Sequence, residues 1–200
     1  MKFPTHIKFN SLGLKSNTPN FYSESRSLRR HVRRIPAHRW EVTLRTVPLE
    51  DADARSLSAF LNALEGRLNS FDVILPLYST PQGAATGVPS VSAATAAGEK
   101  MVPAKHGAAN VENQVMAGDF IRFAGHSKVY QVTANADTDS AGNMSYQITP
   151  GLVKSVAADE NIIVKDVPFT MALKRDVQGF KVGIGNSRFV KHEIDCVEAL

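Results

Sequence analysis

Residues 38–47, HRWEVTLRTV, alternate Trp40, Val42 and Leu44 with Glu41, Thr43 and Arg45. A period of two sorts side chains onto opposite faces of a strand, so this stretch predicts a half-buried β-strand. After Pro48 the period changes. Leu57, Phe60, Leu61 and Leu64 recur at three and four, Asp51 stands where an N-terminal cap belongs, and Gly66 provides a stop. The pattern predicts an amphipathic helix of about four turns whose apolar stripe packs on a sheet. Residues 71–78, FDVILPLY, then form a nearly continuous apolar run, the signature of a short strand buried on both faces, ended by Ser-Thr-Pro at 79–81.

Composition shifts at residues 82–98, QGAATGVPSVSAATAAG, which are small and polar, and a junction is expected near residue 80. Short strand-like stretches follow at 100–104, 119–123, 128–133, 144–149 and 161–165, separated by turn chemistry and with no helical segment. Five such stretches predict a small barrel. The connection at 135–143, NADTDSAGN, reads as a hairpin loop. It also resembles an acidic calcium loop, but Asp137 and Asp139 are not followed by the glutamate that such a loop needs at its twelfth position. After Asp166 the alternation returns in VPFTMALK and FVKHEIDCVEAL, strands with no partner inside the small barrel. They are expected to rejoin the first module. The fold class predicted is mainly β: an outer domain of residues 1–80 plus 167–200 with one packed helix, interrupted by a barrel inserted at 81–166.

With 200 residues, 43% hydrophobic and 21% charged, the chain has the composition of an ordinary folded protein. A single cysteine, Cys196, excludes an intramolecular disulfide and a cysteine zinc site and fits assembly in a reducing compartment. No apolar run approaches the ~18 residues of a membrane span, and MKFPTHIKFN lacks the apolar region of a signal peptide.

The net charge of +4 is modest, but its distribution is not. Residues 26–39 hold Arg26, Arg29, Arg30, Arg33, Arg34 and Arg39, with His31 and His38, and no acidic residue. Such a strip suits phosphates, and it equally suits the carboxylates of a protein neighbour, to which the guanidinium fork pairs bidentately. Because no Phe, Tyr or Trp lies between Arg26 and Arg39 on which bases could stack, the strip reads as a protein interface.

Catalytic patterns are absent. None of the six histidines shows the i, i+4 helical spacing of a zincin-type site. His192 and Cys196 fall four apart in a predicted strand, about 13 Å along it, too far to act as base and nucleophile. Cys196 reads as a small core residue. GIGN at 183–186 lacks the third glycine and following helix of a phosphate loop and reads as a turn. No nucleophile elbow G-x-S-x-G occurs. No catalytic residue, cofactor or metal site is therefore assigned, and a structural or binding role is expected.

Two segments, NSFDVILPLY at 69–78 and AGDFIRFAGHSKVYQVT at 117–133, resemble the distal tail protein family of long, non-contractile phage tails, in the short form found in phages of Gram-negative hosts. The resemblance extends over the helix before the first segment, the Gly-Asn hairpin loop, YQITPGLVKS and the return strand VPFTMALK, in matching order. It implies a β-sandwich with one helix and an inserted barrel similar to the oligonucleotide and oligosaccharide-binding (OB) fold. It also implies a virion protein of the tail tip or baseplate, assembled in the bacterial cytoplasm as a homo-hexameric ring. That ring would join the tail tube protein to the baseplate hub, with receptor-binding or side-fibre proteins as further partners. The stretch up to residue 37 is the least similar, so the arginine strip has no role by resemblance. A ring needs a heterologous interface whose rotation closes, and a cationic strand facing a neighbour's acidic surface would serve it. No specific nucleic-acid binding is expected.

Two other readings belong to the barrel. Phe120, Phe123, Tyr130 and Tyr146 are the residue types that stack single-stranded bases, although Phe120 and Tyr130 fit the inward alternation of core fillers. A host-surface carbohydrate is the third possibility, without an exposed Trp to advertise it, since Trp40 lies outside the barrel.

Overall fold

The computed structural model describes residues 1–85, 87–180 and 189–200; the predicted turn at 183–186 lies outside them. The protein is mainly β, 39% strand and 7% helical, with its sheets forming a half-barrel and a nearly closed barrel. In chain order the elements are β1 (Phe9–Asn17), β2 (Asn20–Glu24), β3 (Arg30–Arg34), β4 (Arg39–Thr46), α1 (Asp51–Ala63), β5 (Phe71–Ile74) and β6 (Ser90–Val91). There follow β7 (Met101–Lys105), β8 (Phe120–Phe123), β9 (Val129–Val132), β10 (Asn143–Thr149), β11 (Ile162–Ile163), β12 (Pro168–Leu173) and β13 (Glu193–Glu198). They divide into two compact units, Met1–Phe71 with Met171–Glu198, and Asp72–Thr170 with Ala199–Leu200. The chain passes from one to the other within β5 and returns within β12.

Five strands form a sheet in the order β1-β4-β13-β12-β5. Its centre is the alternating segment anticipated above: Trp40, Val42 and Leu44 are buried, and Val42 and Leu44 lie opposite Cys196 and Ile194 of β13. The backbone N–H of Trp40 donates to the Glu198 carboxylate at 3.0 Å. Both C-terminal stretches thus join this sheet, as their alternation required. The helix buries Leu57 and Leu61, and Leu64 beyond its end is also buried. Its N-cap is Glu50, in extended conformation and without a side-chain cap bond, so Asp51 enters one residue late to cap and is the first helical residue. With Asp53 it acts instead on the positive end of the helix dipole.

The run at 71–78 is shorter and less buried than its composition suggested. β5 stops at Ile74, which is half exposed, and Leu77 is 88% exposed at φ +69°. Pro76 has no N–H to extend a ladder, and the chain turns there, with Leu75 donating its N–H to Ser79 Oγ at 2.9 Å.

The second unit holds a six-stranded sheet, β11-β8-β9-β10-β7-β6, in which every recorded pair is antiparallel. Its edge strands approach each other: Ser90 bridges Asn161, Val91 N–H donates to Glu160 O at 2.9 Å, and Ile162 N–H to Pro89 O at 2.8 Å. This nearly closes the barrel and protects its edges. The extra strand relative to the five expected, β6, comes from the small-residue segment after residue 80, where two residues are too few to show a period. Ile121, Phe123, Tyr130 and Tyr146 fill the interior. Phe120 is buried but faces the other side of β8, against Phe169 and the edge of Tyr78 at 5.5 and 5.7 Å between ring centres. The loop at 135–143 joins β9 to β10. Asp139 Oδ1 accepts the N–H groups of Ala141 and Asn143 at 2.8 Å, and Asp137 accepts that of Asn113 at 2.6 Å, so both carboxylates cap backbone.

Candidate interaction surface

The arginine strip folds back on the residues that precede it. β1 pairs with β4 as far as Asn17 opposite Arg39, and β2 pairs with β3 from Asn20 opposite Arg34 to Glu24 opposite Arg30. The two pairings follow each other along one antiparallel ribbon. At the tip Ser25 N–H donates to Arg29 O at 3.0 Å, Leu28 N–H to Ser25 O at 2.9 Å, and Arg29 N–H to Ser25 Oγ at 3.1 Å. β1 and β4 belong to the five-stranded sheet, whereas β2 and β3 form a sheet of their own. All ten residues of β2 and β3 are exposed. At the strand rise, the stretch from Asn17 to the tip measures about 27 Å. Neither face of this arm packs on the rest of its own unit, and a lone two-stranded hairpin is marginal in water.

Five of the six arginines ride on the arm. Arg26 and Arg29 flank the tip, and Arg30, Arg33 and Arg34 lie in β3. Arg39 stands at the base and pairs with Glu41 at 3.4 Å. Glu41 is the base's anchor: its side chain is 13% exposed, it accepts Lys174 Nζ at 2.7 Å and Asn17 Nδ2 at 2.8 Å, and Lys174 above all holds its carboxyl down to about 2.

Directly opposed residues share a face of the ribbon. One face carries Tyr22 and Val32, Glu24 and Arg30, Asn20 and Arg34. It is internally satisfied, with the Arg30 guanidinium 5.4 Å over the Tyr22 ring and the Tyr22 hydroxyl donating to the Glu24 carboxylate, a bond that raises the phenol's pKa. The other face presents Phe21 beside Arg33 and Ser23 beside His31. No residue within the described chain partners these four side chains.

The strip therefore does have aromatic neighbours. Phe21 and Tyr22, 64% and 58% exposed, reach it across the ladder rather than along the chain. Reading residues 26–39 by themselves could not find them, and NFYSE shows no alternation because neither of its faces is buried.

No protein-family model matches the chain, and no curated protein matches it.

The barrel offers no stacking platform from the expected aromatics. Phe120 is 2% exposed, and Phe123, Tyr130 and Tyr146 are fully buried. The Tyr130 hydroxyl pairs with His126 Nδ1 at 3.2 Å and accepts the Val153 N–H at 3.0 Å. Among the described residues the Tyr146 hydroxyl has no hydrogen-bond partner, and burial raises its pKa. Burial likewise pushes the Cys196 thiol up to about 12, which suits a packing residue and not a nucleophile. Among the described residues no group of three or more His, Cys, Asp or Glu could hold a metal ion, and no helix is long and apolar enough to cross a membrane.

Proposed function

We propose that this protein is a structural component of a phage tail tip, a ring of six copies that joins the tail tube to the hub bearing the receptor-binding machinery. Its place would be the virion, after assembly in the bacterial cytoplasm. The observation that carries the reading is the arm. Ten consecutive-ladder residues with both faces in water, rich in arginine and aromatic side chains, need a partner to become stable, and such composition is that of an interface centre. A β half-barrel interrupted by a nearly closed barrel supports the same reading, because it is the architecture that the resemblance implied. The task is mechanical: repeated protomers hold one another through unlike surfaces until the rotation closes. Electron microscopy of the purified protein tests this. Closed rings with sixfold symmetry are expected, and open filaments or twofold pairs would overturn the proposal.

A further inference from the structure

The arm's charge has a counterpart in the same chain. Residues 72–170 carry nine acidic against six basic side chains, whereas the rest of the chain carries seventeen basic against ten acidic. Within the negative unit, two segments lie side by side: Val111 N–H donates to Thr138 Oγ1 at 2.7 Å and Asn113 N–H to Asp137 at 2.6 Å. They expose Glu112, Asp137 and Asp139, and none of the three forms an ion pair with another described residue. On the arm, the Phe21, Ser23, His31 and Arg33 face has no partner among the described residues, and Arg29 stands beside it at the tip.

Resting on the ring reading above, we infer that the arm of one copy docks, by its Phe21 and Arg33 face, on the acidic loop pair of the inserted barrel of a second copy. Unlike surfaces of identical chains then meet, which is the heterologous contact that a closed ring requires. Opposite charge steers the encounter and fixes its register, and Phe21 supplies the apolar anchor. A nucleic acid is the less favoured occupant: it would satisfy the arginines, but the same molecule carries an acidic unit that repels phosphate. A second copy satisfies both halves at once.

Charge reversal in two places tests the contact by sedimentation. The arm variant is Arg29→Glu/Arg33→Glu, both on the docking face, and the loop variant is Glu112→Lys/Asp137→Lys; circular dichroism melting confirms that each folds. Each variant alone should lose assembly, with at least a tenfold higher dissociation constant. An equimolar mixture should recover it, because in an alternating ring every reversed arm meets a reversed loop. A chain carrying both sets of changes should also assemble by itself. If the arm variant assembles like the unmodified protein, or if loss is not rescued by mixing, the inference fails while the ring reading stands. If the unmodified protein never associates at any concentration, the ring reading fails with it. Retention of single-stranded DNA at physiological salt by the unmodified protein, lost in the arm variant, would overturn the inference in favour of a nucleic-acid partner. Should the loop variant misfold, Glu112→Lys alone provides the reversed loop.

Discussion

Two tyrosines in the barrel core look alike in sequence and differ in what their hydroxyls touch, so the same substitution should move stability in opposite directions. Tyr130 and Tyr146 are both fully buried. Tyr130→Phe removes a hydroxyl that bonds His126 and the Val153 N–H, and it leaves those groups without their partner. A net hydrogen bond is worth about 1 kcal/mol, and an abandoned buried partner costs about 1–3 kcal/mol, so a loss of about 1.5–2 kcal/mol is expected. Tyr146→Phe removes a hydroxyl that has been taken out of water with nothing in exchange. Its deletion keeps the ring and relieves that desolvation, giving a gain of about 1 kcal/mol. Urea unfolding followed by far-ultraviolet circular dichroism reads both, with the midpoint shifting at constant slope. At about 2–4 °C per kcal/mol for a chain of this size, the two variants should melt about 5–12 °C apart. Equal destabilisation by both substitutions would refute the reasoning, since it would mean that the Tyr146 hydroxyl is as well bonded as that of Tyr130.

Other expectations follow from the same geometry. Arg122 donates to His126 O at 2.6 Å, Pro168 O at 2.8 Å and Thr170 Oγ1 at 3.1 Å and lies 3.6 Å from Asp72, so Arg122→Met should cost about 2–4 kcal/mol in urea unfolding, whereas Arg67→Met, at an exposed pair, should cost under about 1. Burial lowers the pKa of His126 and of His192, so the unfolded chain binds more protons below pH 6.5. Stability should therefore be fully present above about 6.5 and decline as pH falls towards the folded values; a flat profile from pH 7 to 5 would contradict this. Glu41, held down to about 2, adds a second decline from the ordinary carboxylate range towards pH 2, and Glu41→Gln should remove that part of the profile. Because Glu41 ties Asn17, Arg39 and Lys174, Glu41→Gln should also speed amide hydrogen exchange at the base of the arm without changing it in the barrel.

Burial decides which elements could be read from the sequence. β4, β10, β12 and β13 each bury one face, and the first three were legible to within one residue, whereas the last was drawn from residue 189 and begins only at Glu193. The helix showed its stripe for the same reason, but its cap did not, since the choice between Glu50 and Asp51 depends on backbone direction after Pro48. β5 was overestimated because apolar composition does not reveal that Pro76 ends the ladder. Phe120 was assigned to the barrel interior as a large apolar residue of β8, but it shares its face with Arg122 and is covered there by Phe169. β2 and β3 left no periodic trace at all, being exposed on both faces, and only the charge of β3 marked them. The arginines of the candidate surface were thus visible along the chain. Phe21, which completes their face, was not, because its proximity to Arg33 exists only through the register of the hairpin.

The mass of the assembled particle tests the central claim most directly. Sedimentation equilibrium over micromolar to millimolar protein, at low and at physiological salt, should reveal a species of about 130 kDa, six chains of 21.7 kDa, that weakens as salt rises. A single chain or a simple dimer at every concentration would contradict the account.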